Sequence, residues 1–187
     1  MKIWKYENYD EYVAAQTKYN KQKLDWVYVK ERSIDSIVKD KGEAKSVLCH
    51  GTRNGAEQRF FKSKYPDAFV LGTEISETAS KFEMTVQHDF TKVNEEWIGK
   101  FDIVYSNSFD HSIEPETTIR TWKNQLTETG KLYIEYSEAQ AVCEEADPLY
   151  ATNKEVVQMM EDAGFSVAVL PGKRSGHKIF VGTVRKV

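Results

Sequence analysis

Two glycines four residues apart, Gly51 and Gly55, follow a short apolar run, Val47-Leu48-Cys49-His50, and an acid, Glu74, ends the next such run. Glycine lacks a Cβ, so a loop with two of them turns sharply and lets a ligand approach its backbone closely. Glu74 lies about 20 residues beyond the loop, the offset at which an acid ending a strand meets a ribose diol. A carboxylate suits that contact because it accepts from both hydroxyls at once. These residues predict recognition of a nucleoside. A dinucleotide is disfavoured, because Arg53 stands at the second glycine of the GxGxxG pattern and Glu57 falls where it would repel a pyrophosphate. No Gly-Lys-Ser/Thr follows the loop, so a Walker phosphate site is not expected either.

Such residues need a scaffold that gathers strand ends. Short apolar runs occur at 46–49, 68–73, 84–86, 101–105 and 131–136. Helical signals lie between them, opened by Gly55-Ala56-Glu57, by Ser76-Glu77, and by Pro115-Glu116 in a stretch running through Trp122 and Leu126 to a stop at Thr129-Gly130. Strands alternating with helices build a largely parallel sheet. The C-terminus breaks the alternation: a helix over 153–163 closes at Gly164, and runs at 165–170 and 178–184 follow with only seven residues between them. That connection is too short for a parallel crossover, so the pair is an antiparallel hairpin. The expected fold is α/β, a seven-stranded, mostly parallel, Rossmann-like sheet with helices on both faces and a C-terminal antiparallel hairpin. Residues 1–42 form a helical extension and 43–187 the core of a single domain. Tyr9, Tyr12, Tyr19, Trp26 and Tyr28 dot that extension; they are expected to be core contacts, with a lid over a pocket as the alternative.

The chain has 187 residues, of which 26 are basic and 29 acidic, a net charge of -3 that disfavours nucleic acid as a partner. Lys173, Arg174 and Lys178 make only a small basic patch. Four Trp, ten Tyr and nine Phe are enough to seed a core. No apolar run is long enough for a membrane span, and the N-terminus lacks the apolar stretch of a secretory signal. Cys49 and Cys143 form neither a disulfide framework nor a CxxC metal site, so a cytoplasmic setting is expected. A homodimer is left open.

In this order the motifs resemble those of class I S-adenosylmethionine-dependent methyltransferases, over roughly residues 45–187. The glycine-rich first motif is matched by Val47-Leu48-Cys49-His50-Gly51-Thr52-Arg53-Asn54-Gly55 and the ribose-binding acid by Glu74. Gln87-His88-Asp89-Phe90 is similar to the adenine-contacting segment, and the stretch from Phe101 through Asn107 to Ser112 to the fourth-strand motif. The resemblance implies S-adenosylmethionine as cofactor. Gly51 and Gly55 would pass under its methionine and ribose, Glu74 would take the ribose hydroxyls, and Ile75 would lie on the adenine face. Asp89 would accept from the exocyclic amine, the Phe90 N–H would meet a ring nitrogen, and Asn107 would face the methionine ammonium. Asp89 has a second reading, as a turn residue ahead of Thr91. Cys49 stands where the family commonly has an acid, and Arg53 where it has a glycine. The Arg53 side chain is expected to reach the cofactor's carboxylate or else pair with Glu57.

The resemblance also implies that the segment after the fourth strand faces the transferred methyl. His111 is the histidine beside that point, and Asp110 can orient it or act in its stead; both can instead cap a helix. His50 is expected near the pocket, His88 and His177 as structural residues, and Glu135 and Glu138 either at a polar acceptor or in solvent. No metal is expected, since Asp110 lacks the Asp-Asn partner of catechol-type sites. Asn107 is not followed by the Pro-Pro-Tyr run of DNA amino-methylating enzymes. The acceptor expected is therefore a small polar molecule such as a sugar or metabolite hydroxyl. Two other readings stay open: a non-catalytic binding module of the same fold, and a nucleotide-binding oxidoreductase.

Overall fold

The computed structural model describes residues 1–172 and 176–186. Lys173 and Arg174 of the basic patch lie outside the described residues. The elements run β1 (Lys2–Ile3), α1 (Tyr9–Gln22), α2 (Glu31–Lys41), β2 (Ser46–His50), α3 (Ala56–Lys64), β3 (Phe69–Glu74), β4 (Thr85–Gln87), β5 (Phe101–Ser106), α4 (Pro115–Asn124), β6 (Leu126–Tyr136), β7 (Leu149–Tyr150), α5 (Asn153–Asp162), β8 (Phe165–Pro171) and β9 (Lys178–Val184).

The main sheet has seven strands in the order β4-β3-β2-β5-β6-β9-β8. The first five are parallel, and β9 pairs antiparallel with both β6 and β8. The seven-stranded expectation and its closing hairpin are both met. Period-2 alternation supplies a core on each face. Leu48, Val104, Leu132 and Ile134 point toward Trp122 of α4 and Met160 of α5. Val47, Cys49, Ile103, Tyr105 and Tyr133 point toward Ile34 and Ile37 of α2 and Phe61 of α3. Local signals fix the helices: Pro115 starts α4, and Thr152 with Glu155 forms a capping box on α5. In α5, Val156, Met159 and Met160 are the buried residues, the spacing of one helical face.

Two features differ from the sequence reading. The helix begun at Pro115 ends at Asn124, and Leu126–Tyr136 is all strand. Gly130 is not a helix stop: a Cβ there would lie 2.6 Å from the Phe101 carbonyl oxygen, so glycine permits a close strand approach next to a register shift. A second, two-stranded sheet joins β1 to β7, too short to leave an alternating pattern in sequence. Among the described residues no helix is long and apolar enough to cross a membrane.

Candidate functional site

The chain runs outward from β2 through β3 to β4 and then returns to β5 beside β2. That reversal opens a crevice at the carboxyl ends of β2 and β5, where open α/β sheets bind ligands. After His50 the backbone enters the left-handed region at Gly51 (φ 69°), Arg53 (φ 46°) and Gly55 (φ 73°), and α3 begins at Ala56. Glu74 at the end of β3 fastens this turn: its Oε2 accepts from the Arg53 N–H at 3.1 Å and its Oε1 from the Ser76 N–H at 3.0 Å. The side chain is buried, and burial pushes its carboxyl above the usual carboxylate range while the Ser76 and Arg53 amides draw it part of the way back. Two oxygens offer about four lone-pair sites, so two remain for a ligand.

The segment after β5 is stitched to the glycine loop. Ser106 Oγ donates to the His50 carbonyl at 3.1 Å, the Ser108 N–H donates to Ser106 Oγ at 3.0 Å, and Ser108 Oγ donates to the Gly51 carbonyl at 2.9 Å. Asn107 Nδ2 donates to Glu57 Oε1 at 3.3 Å across the crevice.

Two adjoining cavities fill the crevice and share Lys23, Gly51, Arg53, Ser108 and His111. The smaller, of about 50 Å3, is bounded by Glu74, Ile75, Asp89 and Phe90. The larger, of about 180 Å3, is bounded by Glu57, Asn107, Asp110 and Asp147 among others. All ten residues proposed from the sequence, except Gly55, line one or both. Gly55 instead serves as the N-cap of α3. Asp89 does make the turn of its second reading, its Oδ1 accepting from the Thr91 N–H at 2.9 Å, while Oδ2 accepts from the Tyr9 hydroxyl at 2.8 Å.

Helix α1 is both core contact and wall. Tyr12 is buried, yet Tyr12, Gln16, Tyr19 and Asn20 line the smaller cavity. Gln16 fixes His111. Its Nε2 donates to the Ala146 carbonyl at 3.3 Å, which can only accept, so its Oε1 faces His111 Nδ1 at 2.7 Å and receives that N–H. The other ring nitrogen, Nε2, then faces Asp147 Oδ1 at 3.6 Å and Asp110 Oδ1 at 4.0 Å. Asp110 and His111 occupy a short 3₁₀ turn, Phe109–His111, and cap no α-helix. Sequence reasoning missed Gln16, Ser137 and Asp147. None belongs to a local motif; each reaches the site through the tertiary fold.

Several residues depart from expectation. His50 does not line either cavity. It is fully buried, stacked on Trp122 with centroids 5.1 Å apart, and held by Thr73 Oγ1 at 2.9 Å and Gln125 Oε1 at 2.8 Å. Burial pushes it down to about 3. Because the unfolded chain then binds the proton better than the folded one, stability is full above the unfolded value near 6.5 and is lost as pH falls toward 3. Urea unfolding should show about 2 kcal/mol less stability at pH 5 than at pH 8 from this group alone, and His50→Gln should flatten that part of the profile. Arg53 takes a third destination: its guanidinium lies 4.9 Å over the Tyr28 ring, and Nη1 donates to the Trp26 carbonyl at 3.4 Å. Cys49 is buried, which pushes its thiol far up and makes it an inert core residue. Glu135 is neither solvated nor idle, accepting from Ser33 Oγ and the Tyr105 hydroxyl, both at 2.9 Å. Glu138 accepts from the Asn153 N–H at the start of α5. His88 packs edge-on against Trp97, as a structural residue does, whereas His177 lines the larger cavity.

No protein-family model and no curated protein sequence matches the chain. Solved structures do match its fold. A 1,6-didemethyltoxoflavin N1-methyltransferase from Burkholderia thailandensis, determined with 1,6-didemethyltoxoflavin and S-adenosylhomocysteine bound, aligns over 98% of this chain and 92% of its own at a TM-score of 0.67 and 17% identity. A TehB-like S-adenosylmethionine-dependent methyltransferase from Corynebacterium glutamicum aligns over 94% and 98% at 0.64 and 17% identity. An O-methyltransferase family protein from Burkholderia thailandensis aligns over 94% and 59% at 0.61 and 12% identity. The chain therefore has the fold of class I S-adenosylmethionine-dependent methyltransferases.

Proposed function

We propose that this chain, built on that fold, is an S-adenosylmethionine-dependent methyltransferase whose acceptor is a small polar molecule, with a hydroxyl as the methylated group. The observation that carries the reading is the buried Glu74 carboxylate, at the end of β3, lining a cavity floored by the Gly51 turn. The wall of that cavity carries an acid, an aliphatic side chain, a second acid and an aromatic ring in Glu74, Ile75, Asp89 and Phe90. This set suits an adenosine: Glu74 for the ribose diol, Ile75 and Phe90 around the base, Asp89 for the amine. Gly51 and Asn107 lie where the methionine part would extend into the larger cavity.

When bound, S-adenosylmethionine supplies a methyl group on an already activated sulfonium. The protein's work is then to align the acceptor in line with it and to keep water away. The larger cavity is lined by Glu57, Asn107, Asp110, Glu135, Ser137 and Asp147 among others, which favours a polar acceptor over an apolar one. A hydroxyl acceptor must lose its proton during attack. His111 and Asp110 line this cavity and are the groups assigned to that task.

Arg53 is assigned to the cofactor's carboxylate, since a guanidinium offers forked donors matched to one. Its present stacking on Tyr28 leaves it bordering both cavities. Arg53→Ala should weaken S-adenosylmethionine binding about tenfold and leave 5′-methylthioadenosine, which lacks the carboxylate, unchanged. Equal losses for both ligands would mean that Arg53 only shapes the loop. The reading as a whole is tested by calorimetric titration with S-adenosylhomocysteine, followed by transfer of a radiolabelled methyl group to a library of polar metabolites. Micromolar binding and a labelled product are expected. Binding of a nicotinamide dinucleotide instead, or cofactor binding with no labelled acceptor across the library, would favour the oxidoreductase or the binding module.

A further inference from the structure

His111, Asp110 and Asp147 bring one imidazole nitrogen and two carboxylates together on the wall of the larger cavity, each with a ligand atom within 4.8 Å of the others. We propose that this cluster binds a divalent transition-metal ion. The argument starts from Gln16. By receiving the His111 Nδ1–H it leaves Nε2 with the lone pair in the neutral ring, and it holds the ring from outside, as the outer partners of metal-ligating histidines do. Nε2 faces Asp147 Oδ1 at 3.6 Å and Asp110 Oδ1 at 4.0 Å. Both separations exceed the ~2.7–3.2 Å of a hydrogen bond. Yet they are close to the spacing of neighbouring ligands on one ion: metal–ligand bonds of ~2.0–2.2 Å in a tetrahedral site set donor atoms roughly 3.4 Å apart.

A second observation points to a ligand in the same place. Ser137, just after β6, is 7% exposed, and its buried hydroxyl has no hydrogen-bond partner among the described residues. It lines the larger cavity together with Asp110, His111 and Asp147. A buried hydroxyl without a partner among the described residues is costly, and a water or acceptor oxygen on the ion would supply one. The nitrogen donor selects among ions. Mg2+ and Ca2+ prefer all-oxygen sites, whereas a mixed imidazole and carboxylate set suits Zn2+ and its neighbours. Three protein ligands leave a coordination position open, as catalytic sites do.

The use of that open position rests on the methyl-transfer reading. An acceptor hydroxyl on the ion releases its proton to solvent more readily. Its freed electron pair then forms the new oxygen–carbon bond as the carbon–sulfur bond breaks, and the sulfur keeps that bond's electrons. With the ion bound, His111 and Asp110 would act as its ligands, and the ion would take over the activation otherwise assigned to them.

Calorimetry with Zn2+ on the whole, chelator-treated chain should give one site of micromolar affinity, with Mg2+ at least a hundredfold weaker. Asp147→Asn and His111→Gln should each weaken Zn2+ at least tenfold. Co2+ should give visible bands of a four- or five-coordinate ion that are lost in His111→Gln. Circular dichroism guards against a misfolded variant, and the Co2+ spectrum of the unmodified chain stands even if a variant fails to fold. No saturable Zn2+ binding up to millimolar concentration, or binding indifferent to both substitutions, overturns the proposal. A parallel titration with S-adenosylhomocysteine separates the two readings. Cofactor binding without metal binding overturns this site alone, and metal binding without cofactor binding upholds the site while removing its role in methyl transfer.

Discussion

Replacing Gly51 with alanine is expected to weaken S-adenosylhomocysteine binding by about a hundredfold, or ~2.7 kcal/mol, while the chain still folds. At φ 69° an L side chain is strained by roughly 1–2 kcal/mol. The new Cβ would also stand 2.7 Å from Ser108 Cβ and 3.0 Å from its Oγ. Both atoms belong to the segment after β5, and Ser108 Oγ holds the Gly51 carbonyl. The substitution must therefore push apart the two loops that floor the crevice. Ser108→Gly removes the obstructing atoms, so the double variant Gly51→Ala/Ser108→Gly should recover part of the lost affinity. Measured against Ser108→Gly alone, which loses the hydrogen bond to the Gly51 carbonyl as the double variant does, recovery gives the steric share and the remainder the backbone strain. Calorimetry on the three variants decides; unchanged affinity in Gly51→Ala would detach this turn from the cofactor site.

Glu74→Gln should cost about ten- to hundredfold in the same affinity, the worth of a charge-assisted hydrogen bond of roughly 1.5–3 kcal/mol. The volume is kept, but one accepting oxygen becomes an NH2 group. The Arg53 and Ser76 N–H groups each point at a different carboxylate oxygen, so one of them must then face a donor. A loss of thermal stability should accompany the loss of affinity, because the site is buried and one N–H there would be left unpaired. If the variant binds as tightly as the parent with its fold intact, Glu74 is a buckle for the loop and nothing more.

These positions were legible because their signals are local. Gly51, Gly55 and Glu74 stand at fixed offsets from strands that short apolar runs announce, and the turn residues between 171 and 176 announce the hairpin. The period-2 alternation of Ile103-Val104-Tyr105 distributes itself to the two cores as strand geometry requires. Gly130 misled because a glycine after a helical pattern reads as a stop, whereas its neighbour in space, the Phe101 carbonyl, is invisible in sequence. His50 misled for a related reason. Its place at a strand end pointed to the crevice, but its ring turns into the core, where Thr73, Gln125 and Trp122 receive it.

The half of the site that receives the acceptor was the least legible. Gln16 sits in a helix that reads as polar with scattered aromatics, and Asp147 in a loop without a motif. They meet His111 through separations of 95 residues for the Gln16 contact and a still different stretch of chain for Asp147. No periodicity or spacing rule reports contacts of that range. The same holds for Arg53, whose partner Tyr28 comes from the segment between α1 and α2.

The most direct measurement of the central claim is a crystal structure of the chain soaked with S-adenosylhomocysteine. The account predicts the ligand along the crevice, with its ribose hydroxyls within about 2.6–3.2 Å of the Glu74 carboxylate. The base should lie between Ile75 and Phe90, and the sulfur should face the larger cavity beside His111. Ligand bound elsewhere on the chain, or a crevice that stays empty at saturating concentration while Glu74 holds only the Arg53 and Ser76 amides, would contradict it.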